Sequence, residues 1–417
     1  MAAAHCAPMT APTNPHPGAL AGLKVLEMGQ LIAGPFAAKT LADFGAEVIK
    51  IEAPGSGDPL RNWRMMKGDT SVWWQAQSRN KQSLALDLKQ MEAQAIVRRL
   101  ACQADVLIEN FRPGTLEGWG LSPAVLQGLN PRLIILRVSG YGQTGPYRNR
   151  PGFGVIGEAM GGLRHLTAEP GRVPVRVGVS MGDTLAALHG VIGILLALQE
   201  RQRSGLGQVI DVALYEAVFN CMESLLPEYS AFGAVRQAAG SALPGIAPSN
   251  AYRCSDGGYA LIAGNGDSIF RRLMTAIGQP KVVDDPGLAN NAGRVARVAE
   301  LDEIIGRWTA KHTVDEVLAA LEAQGVPAGR IYTVADIAAD PHYRARNMIV
   351  PCEIDGQDML LPGIVPKLSR TPGTHTRPAP KVGQDSRAVL RRIGLDASQI
   401  EELEQLGVVA CAAEEVL

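Results

Sequence analysis

The sequence predicts an α/β protein built from a large, doubly wound, mostly parallel sheet and a second, smaller α/β domain. From Leu23 onward, short runs of β-branched and apolar residues alternate with helix-length segments, which is typical of such a sheet. The chain has 417 residues, more than one ordinary core accommodates, so two domains are expected. Hydrophobic residues make up 46% and charged residues 19%, a composition typical of folded globular proteins.

The elements of the large domain alternate regularly along the chain. The predicted strands are Leu23–Glu27, Glu47–Glu52, Ser83–Leu88, Asp105–Glu109 and Leu133–Ser139. The predicted helices are Pro35–Phe44, 90–102, 123–129, Asp183 to about Arg201, and a further one from Tyr215. Ligands of open α/β sheets bind beyond the carboxyl ends of the strands. The segments in those places combine Gly and Pro with Asn, Gln, Tyr and Arg, which favours a polar ligand, although each alone is compatible with an ordinary turn.

Composition along the chain suggests the domain limits. Residues 1–20 are rich in Ala, Pro and Thr and lack the basic and apolar segments of a signal peptide, so we expect a disordered lead. Residues 21–225 are predicted to form the first part of the large domain. Residues 226–340 are predicted to form the small α/β domain with its linkers, and residues 341–417 to return and complete the large domain.

Several classes of partner are not expected. The net charge of −1 gives no basic field for nucleic acid or anionic lipid, and no uninterrupted apolar stretch of about 18 residues predicts a membrane span. The six cysteines are scattered without C-x-x-C spacing, which favours reduced thiols and a cytoplasmic protein without a metal site. The first strand is not followed by G-x-G-x-x-G, so a dinucleotide site is not expected either.

The segment GVSMGDTLAALHG offers two candidate nucleophiles, Ser180 and Asp183. Gly178 to Gly182 match the G-x-S-x-G pattern of a hydrolase nucleophile elbow. However, Gly182 is expected to delay the start of the helix, and the downstream His312 and His342 lie in polar segments that flank predicted helices. Asp183 directly precedes an apolar run and has the properties of a helix N-cap. The same position would stabilise an ionised carboxylate, which is a competent nucleophile toward an activated acyl group. The residues alone leave a cap and a nucleophile both open.

An ordered series of segments narrows the choice. In chain order, the segments are LKVLEMGQLIAGPFAAKTLADFGAEVIKIEAPGSGD, SRNKQSLALDLK, ADVLIENFRPG, NPRLIILRVSGYGQTGPY, VGVSMGDTLAALHGVIGILLAL and SGLGQVIDVAL. This series resembles the class III CoA-transferases, the CaiB/BaiF or formyl-CoA transferase family, and weaker similarity extends from residue 21 to about 405. The sequence of residues 140–185 resembles the branch that uses succinyl-CoA with a small dicarboxylic or similar organic acid.

The resemblance implies a mechanism and an assembly. It implies an interlaced homodimer, in which each subunit threads through the other, and a catalytic aspartate at Asp183. In the family, this carboxylate attacks an acyl-CoA thioester to give a mixed anhydride, becomes an aspartyl-CoA thioester, and passes CoA to an acceptor acid through a second anhydride. CoA and acyl-CoA are then substrates, and no permanently bound cofactor is expected.

The resemblance also implies which residues contact CoA. They are Gln30, Leu31, Ile32, Ala33, Lys81, Asn110, Phe111 and Tyr141. Lys81 offers a positive charge for a phosphate and Phe111 an apolar face for adenine, and Tyr141 is expected near the acyl group. Trp63 and the loop Gly264-Asn265-Gly266 match segments that cover the active site in formyl-CoA transferase.

Four positions depart from formyl-CoA transferase, which has basic residues at the positions of Ala53 and Gly118, a lysine at that of Ser139 and a glutamine at that of Ile32. These departures argue against formate and oxalate as substrates. Arginines that could bind a second carboxylate of the substrate are Arg61, Arg64, Arg137 and Arg176.

Two other activities remain as alternatives. The α-methylacyl-CoA racemases of the family use the same aspartate with a histidine, and Phe153 stands at the position of that histidine. Phenylalanine cannot exchange a proton, so a racemase-like isomerase is the less favoured interpretation. A serine hydrolase that uses Ser180 is less favoured still.

Overall fold

The computed structural model of the protein describes residues 18–354 and 356–412. Residues 1–17 of the predicted lead therefore lie outside the described residues. The last three residues of that predicted lead, 18–20, belong to the folded chain, because the amide of Leu20 donates to the carbonyl of Phe44 at 2.9 Å.

Strands and helices follow one another along the described chain. The strands are β1 (Lys24–Glu27), β2 (Glu47–Glu52), β3 (Met66–Lys67), β4 (Thr70–Ser71), β5 (Lys81–Leu86), β6 (Val106–Glu109), β7 (Ile134–Ser139), β8 (Val209–Ala213), β9 (Ser249–Arg253), β10 (Tyr259–Ala263), β11 (Ala328–Arg330), β12 (Ile349–Ile354), β13 (Gln357–Pro362) and β14 (Val409–Ala410). The helices are α1 (Ala33–Asp43), α2 (Val72–Ser78), α3 (Met91–Ala101), α4 (Thr115–Gly118), α5 (Pro123–Leu129), α6 (Gly154–Met160), α7 (Leu163–Leu166), α8 (Met181–Ser204), α9 (Leu214–Phe219), α10 (Leu225–Phe232), α11 (Asp267–Ala276), α12 (Pro280–Val283), α13 (Asn291–Ala296), α14 (Val298–Thr309), α15 (Val314–Ala323), α16 (Val334–Ala339), α17 (Pro341–Ala345), α18 (Ser386–Arg392) and α19 (Ala397–Gln405).

The chain forms two compact units. The first contains the residues up to Gly162, Gly178–Met222 and the residues from Asn347 onward, and the second contains Leu163–Val177 and Glu223–Arg346. The sequence analysis assigned residues 163–177 to the large domain, but they belong to the second unit. Within that unit, the carbonyl of Thr167 accepts from the amide of Val175 at 2.8 Å, and that of Ala168 accepts from the amide of Gly240 at 3.0 Å.

The first unit is built on a seven-stranded sheet in the order β14-β5-β2-β1-β6-β7-β8. All neighbouring strands run parallel except β14, which pairs antiparallel with β5. The predicted α/β class with a mostly parallel sheet is therefore confirmed. Starting at β1, the chain places β2 and β5 on one side and β6, β7 and β8 on the other, so the strand order reverses between β1 and β6. Such a reversal leaves a crevice at the carboxyl ends of the two strands.

Both faces of the sheet are covered, which explains why its strands have nearly continuous apolar sequences. In β6, Val106 and Ile108 pack in one core with Leu41 of α1, while Leu107 points into the opposite core with Leu100 of α3. The predicted strands are present with ends shifted by no more than two residues. Strands β8 and β14 were not predicted, because the first follows a glycine turn and the second has only two residues.

Helix α8 is the longest helix of the first unit and packs against α1 and β7. Small residues on its inner face allow close approach: a Cβ atom added to Gly190 would lie 2.6 Å from the side chain of Leu136. Its outer face carries a stripe of exposed apolar side chains, Leu188, Ile192, Leu195 and Leu196. These residues follow the helical repeat and form one continuous apolar surface, which we call the α8 stripe.

Helix α8 has the length and apolar composition of a membrane span, with a mean hydropathy of 1.7 over its best window. His189 interrupts the apolar run of this helix, so the sequence has no uninterrupted apolar stretch of that length, and the expectation that no segment spans a membrane stays a prediction. In the structure, 39% of the window is buried inside the protein, on the face that packs against the sheet. Core helices of α/β proteins also combine this length and composition.

The second unit contains a three-stranded antiparallel sheet in the order β11-β10-β9. Helices α11, α14 and α15 supply its core, in which Ile262 of β10 packs with Leu273, Leu301 and Leu321. This unit has its own hydrophobic core, as expected for a separate folding domain.

Candidate active site

A cavity of about 290 Å³ opens at the crevice between β1 and β6, within the first unit. Its lining residues are Gln30, Leu31, Ile32, Ala33, Asn110, Phe111, Arg112, Pro113, Val138, Ser139, Gly140, Arg148, Arg150, Gly152, Phe153, Asp183 and Leu214. The segment Gln30–Ala33, Asn110, Phe111 and Asp183, all predicted from the sequence, thus share one cavity. Lys81 and Tyr141, the other two predicted site residues, do not line it.

The loops after β1 and β6 are joined by a reciprocal pair of hydrogen bonds. The amide of Gln30 donates to Asn110 Oδ1 at 2.7 Å, and Asn110 Nδ2 donates back to the carbonyl of Gln30 at 2.8 Å. A Cβ atom at Gly29 would lie 3.1 Å from the same Asn110 oxygen, so glycine permits this close approach. Asn110 therefore fixes the two rims of the crevice relative to each other.

Leu31 adopts a positive φ of 63°, which is uncommon for a residue other than glycine. Its amide donates to both carboxylate oxygens of Asp58, at 3.1 and 3.2 Å. Lys50 lies 2.7 Å from Asp58 and donates to the carbonyl of Gly29. Burial alone would raise the pKa of Asp58, but the charge and hydrogen bond of Lys50, with the amides of Leu60 and Leu31, outweigh it and hold the pKa below its usual value. A buried charge pair therefore supports the strained loop that lines the cavity.

Lys81 belongs to the same buried network. Its side chain is completely buried, and its ammonium lies 2.7 Å from Glu27 and donates to the carbonyl of Pro35 at 2.9 Å. Burial and the nearby charge of Lys50 outweigh the attraction of Glu27 and lower the pKa of Lys81. In the structure Glu27 pairs with the Lys81 charge, and the contact of Lys81 with a CoA phosphate remains a prediction.

Asp183 lies in the first turn of α8. The helix begins at Met181 with Ser180 as its N-cap residue, so Asp183 is the third helical residue and not the cap that the sequence suggested. Gly154, the first residue of α6, packs directly on the Asp183 carboxylate: a Cβ atom at residue 154 would collide with Oδ2 and would lie 2.7 Å from Cγ. The positive end of the helix dipole favours an anion at this position.

Ser180 lacks the surroundings of a hydrolase nucleophile. His189 bonds to a carbonyl of the preceding helical turn at 2.9 Å and faces Asn220 Oδ1 at 3.3 Å. His312 bonds to the carbonyl of Trp308 at 2.8 Å. No histidine within residues 18–354 and 356–412 hydrogen-bonds Ser180, so no imidazole of these residues is placed as its general base.

Phe153 lines the cavity directly before Gly154, at the position where the racemases have histidine. The described residues that line the cavity include no histidine at all. Among these residues, no imidazole is therefore available to exchange a proton with the α-carbon of the substrate.

Tyr141 is not among the described residues that line the cavity. Its ring meets Tyr147 edge to face at 6.0 Å and Tyr215 at 6.4 Å. A Cβ atom at Gly152 would lie 3.3 Å from the Tyr141 ring, so the ring also contacts the loop after β7. Its predicted position near the acyl group remains a prediction.

The four arginines suggested as carboxylate binders do not line the cavity. Arg137 is buried and pairs with Glu109 at 2.6 Å and with Glu117 at 2.8 Å, and Arg61 pairs with Glu52 at 2.7 Å. Arg64 stacks over Trp73 at 4.9 Å, and Arg176 is an exposed residue of the second unit. Arg61 and Arg137 thus hold loops in place through ion pairs.

Three arginines that the sequence analysis missed line the cavity: Arg112, Arg148 and Arg150. Arg112 follows Asn110 and Phe111, and the other two lie in the loop between β7 and α6. A signal was present, because the motif PYRNRPG follows a strand whose carboxyl end was already expected to bind ligand.

Two further expectations concern residues outside the cavity lining. Trp63 is 41% exposed and its ring lies 6.1 Å from that of Trp73. Gly264-Asn265-Gly266 precedes α11 in the second unit. The expected covering role of both segments remains a prediction. The described residues also contain no cluster of three or more His, Cys, Asp or Glu side chains arranged to hold a metal.

Comparisons with known proteins identify the family of the chain. The chain is 47% identical over 397 residues to succinyl-CoA–D-citramalate CoA-transferase of Chloroflexus aurantiacus, and the matched region covers 94% of this chain and 98% of the relative. It is 41% identical over 404 residues to the alpha subunit of succinyl-CoA–L-malate CoA-transferase from Chloroflexus aurantiacus, covering 96% and 94%. A CAIB/BAIF family protein from Brucella suis has a TM-score of 0.80 at 36% identity, covering 91% of this chain and 100% of that chain. Residues 20–386 match the model of CoA-transferase family III, and the chain therefore belongs to that family.

Proposed function

We propose that this protein transfers CoA from succinyl-CoA to a small dicarboxylic acid, with Asp183 as the nucleophile. The position of Asp183 carries the proposal, because it lines the same cavity as the loops after β1 and β6. The N-terminal end of α8 stabilises the ionised form, which is the nucleophilic one. Gly154 leaves room for the carboxylate and limits its movement.

In the proposed reaction, an Asp183 oxygen forms a bond to the thioester carbonyl, and the C–S bond breaks to release CoA thiolate. The thiolate then attacks the aspartyl carbonyl of the mixed anhydride, which releases the donor acid as a carboxylate and leaves an aspartyl-CoA thioester. The acceptor carboxylate attacks that thioester and forms a second mixed anhydride with Asp183, as the CoA thiolate leaves. The thiolate then attacks the acyl carbon of the acceptor in this anhydride, which gives the new CoA thioester and frees Asp183. No proton or electron is consumed overall, so the chemistry needs no permanently bound cofactor.

The nature of the two substrates is proposed from the relatives and from the charge of the cavity. The names of both Chloroflexus relatives give succinyl-CoA as the donor and a dicarboxylic hydroxy acid as the acceptor. In this chain, three arginines line the cavity together with the one carboxylate of Asp183. This positive balance favours the phosphates of CoA and substrates that carry a second carboxylate.

The remaining CoA contacts are proposed for the residues that line the crevice. The segment Gln30–Ala33, held by Asn110, offers backbone groups, and the half-buried Phe111 offers an apolar face that is braced edge to face by Trp119 at 5.1 Å. Lys81 has a different proposed role: it positions the loop after β1 through Glu27 and the carbonyl of Pro35.

Asp183→Ala tests the proposal when the protein is incubated with succinyl-CoA and a panel of carboxylic acids. Wild type should form new CoA thioesters, and the variant should lose at least about 10³-fold in rate because the covalent route is removed. Glu92→Gln is a matched control, since Glu92 also lies in the first turn of a helix, α3, but outside the cavity lining. Full activity of Asp183→Ala would refute the mechanism. Deuterium uptake from solvent next to the thioester, without any acceptor acid, would instead indicate racemisation.

We also propose that two copies of the chain form an interlaced homodimer. The α8 stripe supports an association, because Ile192 and Leu196 are 54% and 66% exposed and lie side by side with two further leucines. Burial of such side chains contributes roughly 1.5–3 kcal/mol each. Light scattering should give twice the chain mass of 44.2 kDa. A single-chain mass at micromolar concentration would contradict the proposal.

A cytoplasmic location without stable membrane association is proposed as well. It is supported by the scattered cysteines, none of which is spaced as a disulfide framework. Fractionation of the native host should recover the protein with the cytoplasmic fraction, and recovery with membranes would contradict the proposal.

A further inference from the structure

The cavity beside Asp183 has more positive charge than its own residues neutralise. Arg148 and Arg150 both line it, and no carboxylate of the described chain lies within ion-pair distance of either guanidinium. In contrast, Arg137 and Arg61 each pair with glutamates. The two loop arginines are therefore available to bind an anion inside the cavity.

Arg150 is held in a defined orientation by an aromatic support. Its guanidinium lies 3.6 Å from the centre of the Tyr147 ring, and its amide donates to the carbonyl of Tyr147 at 2.8 Å. The Tyr147 ring in turn meets Tyr141 edge to face. Stacking on an aromatic face fixes the guanidinium plane and leaves the N–H groups at its edge free for a carboxylate.

The loop that carries Arg150 is also fixed relative to Asp183. A Cβ atom at Gly152 would lie 2.9 Å from the Cα of Gly140, so the loop packs directly on the chain that leaves β7. Two residues further on, Gly154 contacts the Asp183 carboxylate. The short segment from Arg150 to Gly154 is therefore anchored at Gly152 and Gly154, and the side chains of Arg150 and Asp183 line one cavity.

We propose that Arg150 determines substrate specificity by binding the carboxylate of the acyl group that does not react. This inference rests on the proposed CoA transfer. The free carboxylate of succinyl-CoA and the second carboxylate of the acceptor occupy equivalent places when the reacting carbon is at Asp183, so one arginine serves both half-reactions. A bidentate arginine–carboxylate pair gives both attraction and direction, which a monocarboxylic acyl group cannot obtain. Tyr147 is the positioning residue that holds Arg150.

The test compares succinyl-CoA with butyryl-CoA, which has a methyl group in place of the free carboxylate. The measured quantity is the ratio of kcat/KM for the two donors, because kcat/KM in such an exchange reports on the donor half-reaction alone. Arg150→Gln should reduce the preference for succinyl-CoA by about 10- to 100-fold, the contribution expected of a charged hydrogen-bonded pair. Arg150→Lys should retain part of the preference, because lysine supplies the charge without the planar fork.

Three further variants separate this role from others. Tyr147→Phe keeps the ring and should preserve the ratio, whereas Tyr147→Leu removes the support and should lower it. Arg203→Gln is the matched control, because Arg203 is an exposed arginine outside the cavity lining, and it should leave the ratio unchanged.

Two outcomes would overturn the proposal. An equal loss of kcat/KM for both donors in Arg150→Gln would assign Arg150 to the CoA phosphates or to loop structure. If Arg148→Gln reduced the preference for succinyl-CoA and Arg150→Gln did not, Arg148 and not Arg150 would be the residue that binds the free carboxylate. Failure of the proposed function itself is distinguishable, because wild type would then form no new CoA thioester with any acid.

Discussion

Gly154→Ala is the variant that most clearly connects packing to catalysis. The added methyl group would overlap Asp183 Oδ2 and lie 2.7 Å from Cγ, where ordinary contacts begin at 3.4 Å. Turning the carboxylate about its last bond does not move Cγ, so the whole side chain has to leave its position by about 1 Å or the helices have to separate. A misplacement of about 1 Å costs roughly 10² in rate. Overpacking of this kind typically costs about 1–3 kcal/mol of stability.

The assay measures kcat/KM with succinyl-CoA, together with the midpoint of thermal unfolding. Gly154→Ala should lose about 100-fold in kcat/KM. Gly128→Ala is the control, because it adds the same methyl group within helix α5 where no atom lies within 4 Å. That control should keep its activity and gain up to about 1 kcal/mol in stability from the better helix propensity of alanine. Gly154→Ala with activity within twofold of wild type and an unchanged unfolding midpoint would refute the packing argument.

Three further predictions concern the support of the cavity. Asn110→Ala removes both hydrogen bonds to Gln30 and should lower kcat/KM for acyl-CoA about 10-fold, since each bond contributes about 0.5–1.5 kcal/mol; an unchanged value would contradict the bridging role. Lys50→Met leaves the buried carboxylate of Asp58 without its ion-pair partner and leaves Glu27 with Lys81 alone. Urea unfolding should therefore show a loss of about 3–5 kcal/mol, whereas Lys89→Met at an exposed position should show almost none. The pKa of Asp58 is lower in the folded protein than in the unfolded chain, where it is about 4. Asp58 therefore adds to the free energy of unfolding above about pH 4, and this contribution is lost as the pH falls through the lower pKa of the folded protein. Asp58→Asn should flatten the acid dependence of stability, and a dependence as steep as that of wild type would contradict the role of Asp58.

The sequence predicted the sheet, and the expectation that ligands bind at the carboxyl ends of its strands points to the edge where the structure has a cavity, because both follow from local patterns. Apolar runs such as Val106–Glu109 are buried on both faces, and their carboxyl ends meet at one edge. The loops after β1 and β6, carrying Gln30 and Asn110, were therefore assigned to one site before their contact was known.

The sequence could not predict how charges pair in three dimensions. Lys81 resembled a surface lysine or a phosphate ligand, but its partner Glu27 is 54 residues away and on another strand. Arg137 lies in β7, and Arg150 lies in the loop between β7 and α6. Only the structure shows that glutamates neutralise the first and that the second stacks on an aromatic ring and lines the same cavity as Asp183.

Mass spectrometry of the reacting enzyme tests the central claim most directly. Wild type incubated with succinyl-CoA and treated with hydroxylamine should carry a hydroxamate on the peptide that contains Asp183, because hydroxylamine captures an aspartyl anhydride or thioester. The Asp183→Ala protein should carry none and should transfer no CoA. A hydroxamate on another residue, or CoA transfer by Asp183→Ala, would contradict the account.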